Sequence, residues 1–338
     1  MAKASRYQSR ISYNKPALSY SDQIIQLEAR GLHIPQKEKL AHLLETIGYF
    51  RLSRYWYPLL EDKVNHPIAN VSFDRAFELY KFDCRLRALV LKELEKIEIA
   101  VRAKMAYILS RGHGTFWHTD PVNFNEQQAF SDLLKKFTGE LNRSDEIFIK
   151  AFRKKYSDPL PPSWMMLEIT SFGSLSKLYK NLKPEKPKRE IAHFFGLDDR
   201  TFESWLHTFI YIRNVCAHHS RLWNRELQVQ PKLPLNPVRP WLTNFTTNRK
   251  VFFILSMILY FLNTINPKTT FATKLQRLLL KFPDTSLNAM GFPTNWMNEP
   301  LWAKAITLNP QIFSFTRYIN QQPLGNQQTL AFTHFLPA

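Results

Sequence analysis

Three polar residues, Arg213, Asn214 and His218, lie within six positions of the chain and could act together on a phosphate group. A guanidinium is a permanent cation that can stabilise the charge of a phosphorane-like transition state, and an imidazole transfers protons near neutral pH. On a helix, Asn214 and His218 are four residues apart and share a face. Arg221, seven residues after Asn214, is predicted to contact the nucleic acid. These residue types therefore indicate metal-free cleavage of a phosphodiester.

The element that must position these residues is a helix predicted from Asp198 to about Trp223. Its apolar stripe follows three- and four-residue spacing and contains Phe202, Trp205, Leu206, Phe209 and Ile210. Arg213 follows Leu206 by seven residues, which predicts that its side chain points into this stripe, where it needs an acid on a facing helix or a phosphate. A structural alternative stays open, in which Arg213 forms a core salt bridge and His218 and His219 lie at the surface.

The rest of the chain also favours helices, because it has only 9 glycines and little β-branched alternation. The longest predicted helix covers about residues 73–110, with Glu98 and Arg102 beside its apolar stripe. These two side chains are four residues apart, and an exposed pair of this kind stabilises a helix by about 0.3 to 0.5 kcal/mol. Val251 to Leu262 is predicted to be a buried core helix. We therefore expect an all-α fold.

A net charge of +18 indicates a polyanionic partner, and nucleic acid is the first candidate. The alternative is a basic protein whose charged surface is simply solvated. The most basic segment is predicted to be a loop that contacts phosphates and contains Lys177, Lys180, Lys183, Lys186, Lys188 and Arg189. A solvated linker is the alternative. Arg51 and Arg54 lie among aromatic residues, which suits base stacking and phosphate contact. The favoured interpretation is that the rings form core and the two arginines lie at its edge.

Other classes of protein fit the sequence less well. Residues 1–16 contain no apolar stretch of the signal-peptide type, and two cysteines cannot build a disulfide framework, so we expect a cytoplasmic protein with no membrane segment. His113, His118 and Asp120 have no further ligands at recognisable spacing, so no metal site is predicted. Arg111 and His118 are separated by two glycines that disfavour a shared helix. No glycine-rich phosphate loop is present, and no cofactor is expected.

The run IRNVCAHHSRLWNR, residues 212–225, is similar to the hallmark of the Abi-like abortive-infection family, the AbiD and AbiF group. The Arg and His of this run also resemble the signature of the HEPN ribonuclease superfamily. Further segments fit the same family, namely RGLHIPQKEKLAHLLETIGYFRLSRYWYPL, LYKFDCRLRALVLKELEKIEIAVRA, SFGSLSKLY and GFPTNW. The resemblance covers most of residues 20–302.

This resemblance implies a HEPN-type helical bundle elaborated with additional helices and long loops. Arg213 and His218 would form the catalytic pair and Asn214 would orient them. Glu98 with Arg102 would match a supporting motif, which makes Glu98 the expected partner of Arg213, and His219 also satisfies the family spacing. The implied reaction is attack of a ribose 2′-hydroxyl on the adjacent phosphate without a metal.

The resemblance also implies a domain organisation and partners. A basic arm is expected over residues 1–19, an Abi-like HEPN helical domain over 20–302 and a C-terminal extension over 303–338. The expected partners are substrate RNA, a small noncoding regulatory RNA and a second copy of the chain, since one motif per chain implies a composite site in a homodimer. The biological setting would be phage defence or a toxin–antitoxin system. The alternatives are a non-catalytic RNA-binding protein and a protein that binds only other proteins.

Overall fold

The computed structural model describes residues 12–59, 71–245 and 247–307. Most of the predicted N-terminal arm (1–19) and most of the predicted C-terminal extension (303–338) lie outside these residues, so the proposed domain limits stay predictions. The chain divides into two compact units, Met1–Lys81 and Phe82–Ala338.

The first unit contains helices α1 (Tyr20–Ala29), α2 (Lys37–Thr46) and α3 (Tyr49–Trp56), together with the beginning of α4 (Phe73–His113). The Ser19 hydroxyl accepts a hydrogen bond from the backbone N–H of Asp22 and so caps α1. Helix α3 buries Tyr55 and Trp56 but leaves Phe50 exposed, so the aromatic cluster around Arg51 and Arg54 is only partly core.

The long helix predicted from residue 73 is confirmed as α4, which extends to His113. Every residue of its predicted apolar stripe is buried, namely Leu79, Phe82, Leu86, Val90, Leu94, Ile97, Val101, Met105 and Ile108. The regular three- and four-residue spacing aligns these side chains on one face, and burial of that face stabilises the helix.

The second unit contains the remainder of α4 and nine further helices within the described residues. They are α5 (Gln127–Arg143), α6 (Ile147–Lys155), α7 (Ser163–Ile169), α8 (Phe172–Asn181), α9 (Lys186–Phe194), α10 (Asp199–Ala217), α11 (Val251–Ile265), α12 (Phe271–Lys281) and α13 (Pro300–Thr307). Short 3₁₀ turns join some of them, and no β-strand occurs in the described part of the chain. The fold is therefore all-α, as the sequence predicts.

Helix α11 forms the centre of the second unit, because every residue from Val251 to Leu262 is buried. Aromatic rings of α10 pack against this helix, and the Trp205 ring lies 5.7 Å from that of Tyr260 and 6.0 Å from that of Phe261. The Trp205 indole N–H donates to the carbonyl oxygen of Lys232 at 2.8 Å. These contacts hold α10, which carries the candidate site, firmly on the core.

None of the helices in the described ranges is both long and apolar enough to cross a bilayer.

Candidate active site at the end of helix α10

Helix α10 presents Arg213 to solvent, which corrects the prediction that this side chain points into the apolar stripe. The buried positions in the last turns of the helix are Thr208, Phe209, Ile212, Val215 and Cys216. These positions centre on Ile212, about 100° around the helix axis from Arg213. In the last turns of α10 the buried face is therefore rotated around the helix axis away from the side of Leu206. Arg213 lies at the edge of this face and is exposed. The core salt bridge of the structural alternative is therefore wrong as well.

The helix ends at Ala217, six residues before the predicted end. His218 is the C-cap, His219 has a φ of 54° and the next N–H groups fold back onto the helix. The His219 N–H donates to the Cys216 carbonyl at 3.1 Å and the Ser220 N–H to the Val215 carbonyl at 2.9 Å. This is a Schellman motif with histidine at the left-handed position where glycine is usual. The sequence does not indicate that the helix ends at Ala217, because no glycine stands at the left-handed position.

Arg213, Asn214 and His218 all have exposed side chains at this end of α10. The His218 N–H donates to the Asn214 carbonyl at 2.9 Å, so these two residues keep the helical spacing that puts them on one face. Within residues 12–59, 71–245 and 247–307, none of the three side chains forms a hydrogen bond or an ion pair. A cation, an amide and an imidazole are therefore open to a ligand.

The left-handed backbone of His219 gives a stability prediction. His219→Gly should keep the free energy of unfolding within about 1 kcal/mol of wild type, because glycine adopts this φ without strain while the unfolded chain gains entropy. His219→Val should lower it by about 1 to 3 kcal/mol, since a β-branched residue is strained there. Urea unfolding of both variants measures this difference. Equal stabilities would contradict the left-handed assignment.

The turn after His219 is attached to α4 by Asp83, a residue that the sequence analysis did not single out. The Asp83 carboxylate is fully buried and accepts hydrogen bonds from the backbone N–H of Leu222 at 3.0 Å and of Trp223 at 2.5 Å. Arg87, also buried, donates from Nε to the same carboxylate at 3.1 Å and balances its charge. Because Leu222 and Trp223 are themselves buried, the segment that follows the two histidines is fixed in place.

Arg225 attaches the other side of the same turn to α10. Its Nε donates to the Arg221 carbonyl oxygen at 2.7 Å, and one terminal nitrogen donates to the Tyr211 hydroxyl at 3.3 Å. The Arg221 guanidinium lies over the Trp223 ring at 5.9 Å, so this predicted RNA-contacting residue is half-buried against the turn. The turn is therefore held by side chains from both α4 and the segment after it.

Glu98 and Arg102 form a partly buried ion pair on α4, with 2.8 Å between Glu98 Oε1 and the guanidinium. Arg102 also donates to the carbonyl oxygens of Leu167, Glu168 and Thr170 at the end of α7. The pair thus satisfies carbonyl groups that α7 leaves unpaired. In the described residues no hydrogen bond or ion pair joins Glu98 to Arg213, so the expected Glu98–Arg213 pair is wrong; a supporting role for Glu98 and Arg102 stays a prediction.

Cys216 and His118 have the properties of core residues. Burial, with a further contribution from the nearby Asp83 charge, raises the pKa of the Cys216 thiol to about 12, so it is a poor nucleophile. Burial lowers the pKa of His118 to about 4. His118 lies in a 3₁₀ turn beyond the end of α4 and does not share a helix with Arg111, as the glycines between them predict. Within the described ranges, no three His, Cys, Asp or Glu side chains are grouped as metal ligands.

The basic segment from Lys177 to Arg189 is not a loop, which corrects that part of the prediction. It spans the end of α8, a short turn at Lys183 and the start of α9, where Pro187 occupies the first helical turn. Proline is tolerated there because its missing N–H would have no helical partner. Lys188 is buried and donates to the carbonyl oxygens of Lys180 and Leu182, at 3.2 Å and 2.9 Å. Lys188 is therefore occupied inside the fold.

The exposed cations of this segment lie in different surroundings. Lys186 and Arg189 line a shallow depression of about 600 Å³ that also contains Glu190, Asp198 and Asp199. Lys177 instead faces an open cleft of about 940 Å³ between α5 and α8, here called the α5/α8 cleft, whose other cations are Lys135, Lys136 and Arg143. The structure therefore separates residues that the sequence grouped, and it adds three cations that the sequence analysis did not group with Lys177.

The α5/α8 cleft brings like charges together. Contact with Lys136 and repulsion between the two ammonium groups lower the pKa of Lys177. The acids of the cleft are Asp132, which lies 3.8 Å from Lys135, and Glu140, which accepts from the N–H of Ser171 at the start of α8. Glu140 thus already neutralises the helix terminus, and the remaining positive charge faces solvent.

Comparison with known proteins gives a family match and little else. Curated proteins and solved structures each gave no match to the chain. The family model described as Abi-like protein matches residues 42–224, slightly more than half of the chain. The matched range includes Asp83 on α4, all of α10 and the turn that ends at Trp223. The chain therefore belongs to the Abi-like protein family.

Proposed function

We propose that this protein is an endoribonuclease of the HEPN type that acts in an abortive-infection or toxin–antitoxin system. Membership of the Abi-like family supports the biological setting. The observation that carries the catalytic proposal is the set of Arg213, Asn214 and His218 side chains, all exposed at one helix end and without a partner in the described part of the chain. Because none of the three forms a hydrogen bond or an ion pair within the described residues, they are available to a substrate without any loss of structural bonds.

The chemistry of these groups fits RNA cleavage by transesterification. The ribose 2′-oxygen forms a bond to the adjacent phosphorus while the bond from phosphorus to the 5′-oxygen breaks, which leaves a 2′,3′-cyclic phosphate and a 5′-hydroxyl. His218 would accept the 2′-hydroxyl proton or donate a proton to the leaving 5′-oxygen, and Arg213 would stabilise the extra negative charge on the phosphorane. Asn214 would orient the phosphate by donating from its amide.

Two proton transfers occur in this reaction, one from the nucleophile and one to the leaving group. A second copy of the chain would supply a second Arg213 and His218, so we also propose a symmetric homodimer in which the ends of the two α10 helices meet. His219 is the other imidazole of the same turn. Its left-handed backbone directs its side chain differently from that of His218, and it is assigned a supporting role.

RNA is proposed to lie along basic surface that includes the α5/α8 cleft. Lys135, Lys136, Arg143 and Lys177 line this cleft. A phosphodiester backbone would replace the repulsion between Lys136 and Lys177 by attraction to both, and counterions released from the RNA would add to the affinity. Lys188 is not part of this proposal, because its ammonium group is bonded to backbone carbonyls inside the fold.

An assay of the purified protein on end-labelled RNA in the presence of EDTA tests the proposal. We expect cleavage to persist, because His218 and Arg213 provide the acid–base and electrostatic groups themselves. The products should carry cyclic phosphate and 5′-hydroxyl ends, which mass spectrometry distinguishes from 3′-hydroxyl and 5′-phosphate ends. Cleavage that requires added Mg²⁺ or Mn²⁺ and leaves 5′-phosphates would contradict it, and light scattering on the same sample would test the homodimer.

The second candidate is an RNA-binding protein without catalytic activity that holds a small noncoding RNA. The α5/α8 cleft favours this alternative, since it supplies positive charge independently of the α10 site. Sequencing of the RNA that copurifies with the protein separates the two functions. One intact, structured RNA bound in stoichiometric amount, with no cleavage of added RNA, would favour the second candidate.

A further inference from the structure

We infer that Asp83 is a positioning residue for His218, which it holds through the turn that follows α10. This inference rests on the proposed function, since it assigns His218 to the reaction. The Asp83 carboxylate does not face the proposed substrate; it lies in the interior, with no exposed surface, and contacts the backbone that carries the site.

Donors from two distant segments of the chain surround the Asp83 carboxylate. Two backbone N–H groups, those of Leu222 and Trp223, and the Nε of Arg87 donate to the two carboxylate oxygens. Arg87 is buried as well, and its terminal nitrogen lies 3.1 Å from the Cys84 sulfur. A buried carboxylate that accepts from several fixed donors is held in one orientation, so the backbone that it binds is also restricted in orientation.

The chain between the helix and this anchor is short. After the last helical residue, Ala217, only His218, His219, Ser220 and Arg221 precede Leu222. At one end, the Ser220 N–H bonds to the Val215 carbonyl, and at the other, Leu222 and Trp223 bond to Asp83. With both ends fixed, the backbone of His218 has little freedom. The imidazole is exposed and makes no bond of its own in the described residues, so the restriction on its position comes from the backbone, which fixes the direction of the Cα–Cβ bond.

Asp83→Asn tests the inference while keeping the size of the side chain. The amide NH₂ must face either the two backbone N–H groups or the Arg87 guanidinium, so one of these sets of donors loses its acceptor and the anchor of the turn is weakened. We expect kcat for RNA cleavage to fall by about 10²-fold with a much smaller change in KM, because small displacements of a reacting group cost about this factor. Selective isotope labelling of histidine gives a second readout, in which the imidazole signals of His218 and His219 shift and broaden while that of His207, on the same helix, does not.

A second variant separates positioning from stability. Insertion of two glycines between Ser220 and Arg221 leaves Asp83, Arg87 and all their donors in place but frees the histidine turn from the anchor. We expect the insertion variant to unfold at nearly the wild-type temperature and to show the same loss of kcat and the same imidazole broadening. It therefore decides the question even if Asp83→Asn does not fold.

The outcomes distinguish this inference from the proposed function. If wild-type protein cleaves RNA and the insertion variant cleaves equally well with unchanged imidazole signals, Asp83 does not position His218. If wild-type protein does not cleave RNA, the proposed function fails, and the imidazole signals still decide whether the anchor orders the turn. Unchanged His218 signals in both variants would overturn the inference in either case.

Discussion

His218→Ala is expected to reduce the rate of RNA cleavage by at least about 10²-fold, and Arg213→Ala by a comparable factor. Proton transfer by a positioned imidazole and stabilisation of transition-state charge by a cation each contribute about 10² to 10⁴ in rate. Both side chains are exposed and without partners in the described residues, so neither substitution should disturb packing. Single-turnover rates on labelled RNA, with circular dichroism spectra of each variant, would measure both effects.

Helix α10 itself supplies the matched controls. His207 and Arg200 are exposed on the same helix, well before its C-terminal end. His207→Ala and Arg200→Ala remove the same chemical groups from the same element and should cleave RNA at the wild-type rate. If His218→Ala and Arg213→Ala also cleave at that rate, the catalytic assignment is wrong. If all four variants lose activity together, the groups act through surface charge and not through chemistry.

Reversing two charges in the α5/α8 cleft should weaken RNA binding strongly. The double variant Lys136→Glu with Lys177→Glu removes two adjacent cations and replaces them with acids. The slope of log affinity against log salt is negative, and each lost phosphate contact should reduce its magnitude by roughly 1. The wild type sets the reference, since proteins with 6 to 10 phosphate contacts generally lose about 10³ to 10⁵ in affinity between 50 and 200 mM salt. Filter binding over this salt range would measure both quantities.

A second pair of lysines tests whether the location of the charge matters. Lys268 and Lys281 are exposed in the same unit and do not line the cleft. Lys268→Glu with Lys281→Glu changes the net charge by the same amount, so it controls for long-range attraction. We expect its affinity for RNA to remain much closer to wild type than that of the cleft variant. Equal losses in the two double variants would show that RNA responds to net charge alone, and no RNA binding by wild type would remove RNA as the partner.

The sequence was sufficient for features that depend on local periodicity. Helix α4 and its buried stripe follow from residues spaced three and four apart. Helix α11 follows from an apolar run, interrupted by Ser256, that is too short to span a bilayer. In both elements many residues support the same prediction of a buried helix face. One residue that departs from the pattern therefore does not change the prediction. The prolines between α10 and α11 likewise predict the absence of helix there, and the structure confirms it in the described part of that segment.

The orientation of single side chains was harder to predict. Arg213 satisfies the spacing of the apolar stripe relative to Leu206, but the buried face of α10 rotates toward Ile212 in its last turns. That rotation depends on which elements pack against the helix. The spacing of residues within α10 carries no information about those elements. The end of the helix was missed because His219 takes the left-handed conformation usually marked by glycine. The polar run after Ala217 was the only local signal for it.

Contacts between distant parts of the chain were beyond local spacing altogether. Asp83 precedes its partners by 139 and 140 residues, and Lys177 shares a cleft with lysines of another helix. The acid and base at positions 83 and 87, four residues apart beside an apolar stripe, were the available signal for a buried pair. Lys188 belongs to a basic run that predicts solvent exposure, but its side chain is buried. Its ammonium group donates to backbone carbonyl oxygens at the end of α8.

The bonds between Asp83 and the segment at Leu222 also determine when the site can form during synthesis. A ribosome makes Asp83 well over a hundred residues before its partners, so the growing chain contains the acceptor long before the donors exist. Closing so long a loop is an entropic cost that only later packing offsets. A truncated chain that stops before Leu222 would contain Arg213, Asn214 and His218 in full, yet it would lack the bonds that fix the histidine turn. Incomplete translation products that stop there would therefore lack an ordered histidine turn.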